Sequence, residues 1–351
     1  MRIVVLAGGL SDERNVSLSS GTMVAEALRE RGHEVALVDM YMGLEDHQGA
    51  IEECFRLPIP VGWKKVGRTP PDLEGLKAAR KWKSDSLIGK GVLSLCRMAD
   101  IVFLALHGAC GEDGRIQATL EALGIPFTGT GFLAAAMAMD KDLTKKLVMP
   151  TGVKTPIWEK ISYTAADIPA IARRTPLPVV VKPLASGSSI GVAIAAREAE
   201  LVQALENCLP LGGCVVLEQY IKGREIQVGY LVDRALPSIE IIPKSGFYDY
   251  ANKYQPGAAE EVTPAPIPES WEKRLAEDTK KVFEAVGMAV YARADFIVTA
   301  DGTPWFLEIN TLPGMTPTSL VPQEAAAVGI GYGELCEIII RESLRLRGNW
   351  R

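Results

Sequence analysis

Hydrophobic residues in this chain come as unbroken blocks near the start and in alternation with polar residues toward the end. Ile3-Val-Val-Leu6 and Ile101-Val-Phe-Leu-Ala-Leu106 are continuous apolar runs of strand length. Such runs suit strands covered on both faces. The first predicts a buried strand over residues 2–7 that turns at Gly8-Gly9. A helix is predicted from about residue 19 to 31, stopped by Gly32, and the next strand over residues 35–39. Strands alternating with helices imply a parallel, doubly wound sheet. Residues 58–90 cluster Pro, Gly, Lys and Arg and read as a helical or loop excursion. Residues 124–129 read as a short strand, and 131–148 carry a helical pattern. Antiparallel-style strands are predicted over 179–182, 190–194, 214–218, 225–231, 239–242, 292–299 and 304–310. Helices are predicted from about 271 to 286 and 330 to 346.

The last two strands flank Asp301-Gly302, a hairpin turn signal. With a two-residue loop, paired positions sum to 603, so Arg293 faces Asn310 and Asp295 faces Glu308. Residues two apart share a strand face, so these four form one polar patch. Two carboxylates about 5 Å apart repel by roughly 3 kcal/mol at an effective dielectric of about 20. A divalent cation held by Asp295, Glu308 and the Asn310 carbonyl offsets this naturally, because hard cations take oxygen ligands. A shared proton or Arg293 alone does so too, and a polar face left in solvent is the plain alternative.

Composition narrows the class. The 351 residues suggest two or three domains, and 48% hydrophobic with 23% charged residues is ordinary for a folded soluble chain. A net charge of −5 gives no reason to expect nucleic acid or an acidic membrane surface. No apolar run approaches a bilayer span. The N-terminus reads as a first strand, not a signal peptide. Six scattered cysteines without a Cys-x-x-Cys pair suit a reducing cytoplasm, and three histidines argue against a His-rich metal site.

Other segments carry candidate chemistry. Lys182-Pro-Leu-Ala-Ser-Gly187-Ser188-Ser-Ile-Gly191 follows an apolar strand and suits a flap over a nucleotide. Its small residues let backbone N–H groups approach phosphate, with Lys182 as the cation. It is not a Walker A loop, and a hairpin with a solvated lysine is the alternative. Glu218 and Glu225 bracket a stretch suited to adenine and ribose, though acids at this spacing also occur on plain surfaces. Pro313-Gly314-Met-Thr-Pro-Thr-Ser319-Leu320 leads to a Ser-capped helix start, a ready anion site, with Glu324 soon after. The loop after the first strand carries Glu13. Phe247-Tyr-Asp-Tyr-Ala-Asn-Lys253-Tyr254 suits a lid that excludes water, or else a local minicore.

Taken in order, these segments resemble the D-alanine–D-alanine ligases of the ATP-grasp superfamily over nearly the whole chain. The motifs are Gly8-Gly-x-Ser-x-Glu13, His107-Gly-x-x-Gly-Glu112-Asp-Gly, Met139-Asp-Lys141, Val181-Lys-Pro-x-x-x-Gly-Ser-Ser-x-Gly191, Phe247-Tyr-Asp-Tyr-x-x-Lys-Tyr254, Arg293-x-Asp295 and Glu308-x-Asn-x-x-Pro-Gly-Met315. Each is modestly specific, and their joint order is highly so. The resemblance implies an α/β (α+β) fold in three domains. An N-terminal α/β domain spans 1–128, a central ATP-grasp part 129–218 and a C-terminal catalytic part 219–351. The implied reaction joins two D-alanines for peptidoglycan synthesis. The first carboxylate attacks the γ-phosphate of ATP, and the second amine displaces phosphate from the acyl phosphate.

The resemblance also implies residue roles. Asp295, Glu308 and Asn310 hold two Mg²⁺ ions, with Mn²⁺ as a substitute. Lys141, Lys182 and Lys253 meet the phosphates, Glu218 lies at the adenine and Glu225 at the ribose. Glu13 binds the first ammonium in a set with Ser188 and Tyr254, and His107 orients that substrate. Arg293 and the Gly314 N–H stabilise the oxyanion, and Ser319 and Leu320 bind the second carboxylate. The Lys253-Tyr254 pair matches amide-forming rather than D-lactate-using relatives. D-Serine as second substrate, or another dipeptide, is the alternative. A cytoplasmic homodimer with small-molecule substrates, and neither nucleic acid nor membrane as partner, is expected.

Overall fold

The computed structural model describes residues 1–67, 71–185, 187, 191–244 and 259–348. The Lys253-Tyr254 segment and Ser188 lie outside them. Three sheets organise the chain. The first is parallel, in the order β2 (Glu34–Asp39), β1 (Arg2–Ala7), β3 (Ile101–Leu104), with an isolated parallel bridge from Val102 to Phe127. Ile3, Val4, Val5 and Leu6 are fully buried, as the unbroken apolar run requires. The second sheet holds β4 (Trp158–Ser162), β5 (Val179–Pro183), β6 (Ala193–Ala195) and β7 (Cys214–Gln219) in the order β4-β7-β5-β6. The third holds β8 (Arg224–Leu231), β9 (Arg234–Ala235), β10 (Ile239–Pro243), β11 (Ala259–Val262), β12 (Tyr291–Val298) and β13 (Pro304–Asn310). Its order is β11-β10-β8-β12-β13, with β9 on β8.

Several boundaries differ from the pattern reading. The first helix is Arg14–Glu30 and begins five residues early. Its start is rich in hydroxyls, which hid the apolar stripe, yet Ser17, Ser19 and Ser20 are buried with hydrogen-bond partners. Ser17 Oγ accepts from Gly8 N at 2.8 Å and donates to Ala105 O at 2.6 Å. The helical stretch after residue 131 is two helices, Phe132–Met139 and Lys141–Val148. They part at Asp140, whose side chain caps the second by accepting from Leu143 N at 2.9 Å. The basic excursion contains a short helix, Leu73–Ala79. Arg80, 1% exposed, pins it down by stacking on Tyr41 and Trp82 and donating to the Ser84, Ser86 and Ile88 carbonyls.

The β12–β13 hairpin corrects the turn length. Val298 faces Pro304, and the Thr299 N–H donates to Thr303 O, so the loop has three residues, Ala300, Asp301 and Gly302. Gly302 takes φ +78°, the left-handed residue that such a loop requires. This moves the register by one, and an irregularity between Asp295 and Phe296 moves it back. Arg293 therefore does face Asn310, and Asp295 does face Glu308. An alanine at 302 adds left-handed strain and drives its Cβ into the Trp271 indole. Gly302→Ala should cost about 2–4 kcal/mol in urea unfolding; a loss under about 0.5 kcal/mol would contradict this packing.

The third sheet has two unlike faces. Ile226, Val228, Ala292, Ala294, Phe296, Phe306 and Ile309 pack one face into a core with the helix Glu269–Val286. The opposite face carries Glu225, Gln227, Arg293, Asp295, Glu308 and Asn310, where the register places them side by side.

Candidate active site

Elements from all three sheets meet at one cleft. Its lining includes Glu112 from the loop after β3, Lys141, Gly187, Glu308 and Asn310.

The N-terminal part supplies carboxylates on tight turns. Gly8 has φ +72°, and a Cβ there would stand 2.7 Å from Asp39 Oδ1. Asp39 is gripped by both terminal nitrogens of Arg14, a buried pair that fixes the start of the first helix. Glu13, the residue before it, is 7% exposed. Added methyls at Gly187 and Gly108 would meet its Oε2 at 2.5 and 3.1 Å, so glycine lets both loops close over this carboxylate.

His107 is buried, and burial above all lowers its pKa, so the ring is neutral at pH 7. Nδ1 lies 3.1 Å from Leu312 O, which only accepts, so Nδ1 carries the proton. Nε2 lies 3.5 Å from Ser20 Oγ, and that hydroxyl accepts from Met315 N at 3.4 Å. His107 thus ties the loop after β3 to the loop after β13.

Glu112 has no role in the motif reading, yet it stands in the cleft wall. Its Oε2 accepts from Gly108 N at 2.7 Å. Burial first, then the Glu13 charge, pushes its pKa up to about 8. A carboxyl with a raised folded pKa contributes stability below the unfolded value that is lost as pH climbs toward 8. Glu112→Gln keeps the acceptor and removes the titration. Its melting temperature relative to the parent should rise between pH 5 and pH 8; parallel curves would contradict this.

Two lysines lie on one face of the helix Lys141–Val148, one turn apart. Lys141 Nζ stands 3.6 Å from Glu308 Oε2. Lys145, a residue the motif reading missed, is fully buried with Nζ 3.1 Å from Glu218 Oε1. The other oxygen of Glu218 lies 2.7 Å from Lys182 Nζ. Burial opposes the charge on Glu218, but Lys182 and Lys145 outweigh it and hold the carboxyl below its usual pKa. Burial likewise opposes the Lys182 charge, and Glu218 and Glu308 outweigh it and lift its pKa. For Lys145 burial wins, bringing the ammonium down to about 8.

On the polar sheet face, Asp295 receives a fork from Arg293, with Nε to Oδ1 at 2.8 Å and Nη2 to Oδ2 at 3.0 Å. Asn310 Nδ2 adds 3.2 Å to Oδ2. The cross-strand carboxylates are therefore already offset by Arg293 on one side and Lys141 on the other. Glu324, also missed, is fully buried and accepts from Gly229 N at 3.0 and 3.1 Å. Gly229 faces Arg293 across β8 and β12, and Glu324 fills the space a side chain at 229 would need. Burial above all keeps its pKa well raised.

The loop 311–319 closes the cleft beside this patch. Ser319 stands at the N-cap of the helix Leu320–Ala327 but does not cap it. Its hydroxyl turns back to accept from Thr316 N at 3.0 Å, and a Cβ on Gly314 would meet it at 2.8 Å. The Leu320 side chain packs with Ile239 and Ile241. Glu225, on β8, contributes to the field at Lys182 and accepts from Gln227 at 3.4 Å. The described candidates Glu13, His107, Lys141, Lys182, Glu218, Glu225, Arg293, Asp295, Glu308, Asn310, Gly314 and Ser319 thus come from strands of two sheets, from loops and, for Lys141, from a helix.

A family model described as the D-ala D-ala ligase N-terminus matches residues 2–130, and one for the C-terminus matches 149–341. A D-alanine–D-alanine ligase of Pediococcus pentosaceus is 39% identical over 342 residues, 97% of each chain. One from Anaeromyxobacter dehalogenans is 39% identical over 345 residues, 97% of this chain and 96% of the other. Among solved structures, the Bacillus anthracis D-alanine–D-alanine ligase complexed with ATP superposes with a TM-score of 0.74 at 29% identity over all of both chains. The VanG D-Ala:D-Ser ligase from Enterococcus faecalis does so with 0.74 at 27% identity, over 97% of this chain and 99% of that one.

Proposed function

This chain belongs to the D-alanine–D-alanine ligase family, and from that premise we infer how its own residues perform the reaction. The activity is ATP-dependent ligation of two D-alanines, a step in peptidoglycan synthesis. The observation that carries the residue assignment is the Lys141–Glu308 pair in the cleft wall, with Lys182–Glu218 and Arg293–Asp295 as further charge pairs of the second and third sheets.

In this reading ATP lies with its adenine at Glu218 and its ribose at Glu225. Glu218 is buried, with Lys145 on Oε1 at 3.1 Å and Lys182 on Oε2 at 2.7 Å. Lys141, Lys182 and Lys253 meet the phosphates. Glu13, with Ser188 and Tyr254, holds the ammonium of the first D-alanine, and His107 keeps the loops around it in register.

A carboxylate oxygen of that D-alanine bonds to the γ-phosphorus as the bridge to ADP breaks. The amine of the second D-alanine then bonds to the carbonyl carbon, and the amine proton and inorganic phosphate leave. Arg293 and the Gly314 N–H stabilise the oxyanion between these events. Ser319 and the Leu320 backbone hold the second carboxylate. No covalent enzyme intermediate is needed, so positioning and electrostatics carry the rate.

The donor set Asp295, Glu308 and Asn310 fits hard divalent cations, and two Mg²⁺ ions, with Mn²⁺ as a substitute, would neutralise phosphate charge there. Both Asp295 oxygens are engaged by Arg293 here, so the guanidinium must share Asp295 when the cleft is loaded. The division into residues 1–128, 129–218 and 219–351 is retained as part of the proposal, as are a homodimer and a cytoplasmic location. Among the described residues, no helix is long and apolar enough to cross a membrane.

Phosphate release with ATP and Mg²⁺ over D-alanine, D-serine and D-lactate tests the substrate assignment. Highest kcat/KM with D-alanine in both positions is expected. Preference for D-serine as second substrate would move the chain toward the VanG-like reading.

A further inference from the structure

The lysine that the mechanism leaves unused stands at a fully enclosed charged site. Lys145 has no exposed surface, and Glu218 has 1%. Each Glu218 oxygen faces one ammonium, Lys145 at 3.1 Å and Lys182 at 2.7 Å. The two cations are not equivalent. Lys145 donates to Thr155 Oγ1 at 2.6 Å, and that hydroxyl donates to Phe306 O at 2.9 Å on β13. Its ammonium also lies 5.6 Å from the Trp158 ring centre. These contacts tether it between the second and third sheets. Lys182 grows from the end of β5, beside the flap, and its side chain keeps a tenth of its surface open.

A buried carboxylate stripped of its only cation costs several kcal/mol. If Lys182 were the sole partner of Glu218, a phosphate could recruit it only at that cost. We propose that Lys145 is the resident counter-ion of Glu218, a positioning residue that keeps Glu218 paired so that Lys182 can turn to the phosphates of ATP. This rests on the placement of ATP given above. It assigns the two lysines of one helix face to two carboxylates, Lys141 to Glu308 and Lys145 to Glu218.

The test uses the full-length enzyme. ATP binding is measured by calorimetry and KM for ATP by phosphate release, for the parent, Lys145→Met, Glu218→Gln and the double variant. Lys145→Met should weaken ATP about ten-fold or more, with KM for D-alanine within about two-fold. The double variant should bind ATP more tightly than Lys145→Met, because a neutral residue at 218 no longer holds Lys182. A packing role predicts no such rescue, so additive losses would overturn the proposal, as would parent-like ATP affinity in Lys145→Met. If Lys145→Met does not fold, Thr155→Val loosens the tether and should weaken ATP about two- to three-fold; no change would overturn the proposal. A parent enzyme that releases no phosphate with D-alanine would sink the ligase reading instead.

Discussion

Glu308→Gln should lower kcat by about a thousand-fold or more at ordinary Mg²⁺, with melting temperature nearly unchanged. Glu308 is the partly exposed member of the acidic pair. It lines the cleft and stands 3.6 Å from Lys141. The amide keeps its size and one carbonyl oxygen but removes the charge that a hard cation and Lys141 both require. Folding should tolerate the change, because Glu308 is partly exposed and the amide keeps its shape. Raising Mg²⁺ should recover only part of the rate. A variant with kcat within about ten-fold of the parent would remove Glu308 from the mechanism.

Arg293→Lys should lower kcat by about a hundred- to a thousand-fold while altering KM for ATP little. Lysine preserves the charge but lacks the planar fork that grips both Asp295 oxygens at 2.8 and 3.0 Å. Asp295 then loses its orientation, and the oxyanion loses a directed donor. The neighbouring Glu324 lies on the same sheet face, buried and held by Gly229 N. Single-turnover rates separate this from slow product release, and a chemical step slowed less than about five-fold would contradict the assignment.

The catalytic hairpin shows what the chain pattern could and could not convey. The facing pairs Arg293–Asn310 and Asp295–Glu308 were legible, yet they arise from a three-residue loop and a bulge that cancel. Alternation reports which residues share a face but not where an extra residue is absorbed. The buried parallel strands were legible because apolar runs admit few other readings. The first helix was placed late because Ser17, Ser19, Ser20 and Thr22 look solvent-facing, whereas each is buried. Lys145 and Glu324 escaped because a charged residue on a helix normally signals water. Only the spacing of Lys145 one turn after Lys141, and a glycine at 229 in a strand of larger residues, hinted otherwise. Ser319 was recognisable at a helix start, but its hydroxyl bonds backward to Thr316 rather than forward into the helix. That choice depends on the loop 311–319 packing and has no local signature.

The account stands on transfer of phosphate to the carboxylate of the first D-alanine. Oxygen tracing tests this directly. D-Alanine labelled with ¹⁸O in its carboxylate is turned over with unlabelled ATP and Mg²⁺, and the released phosphate is examined by mass spectrometry. One ¹⁸O in each phosphate, with the dipeptide amide retaining the other carboxylate oxygen of the first D-alanine, is the predicted result. Dipeptide formed alongside phosphate free of ¹⁸O would contradict it.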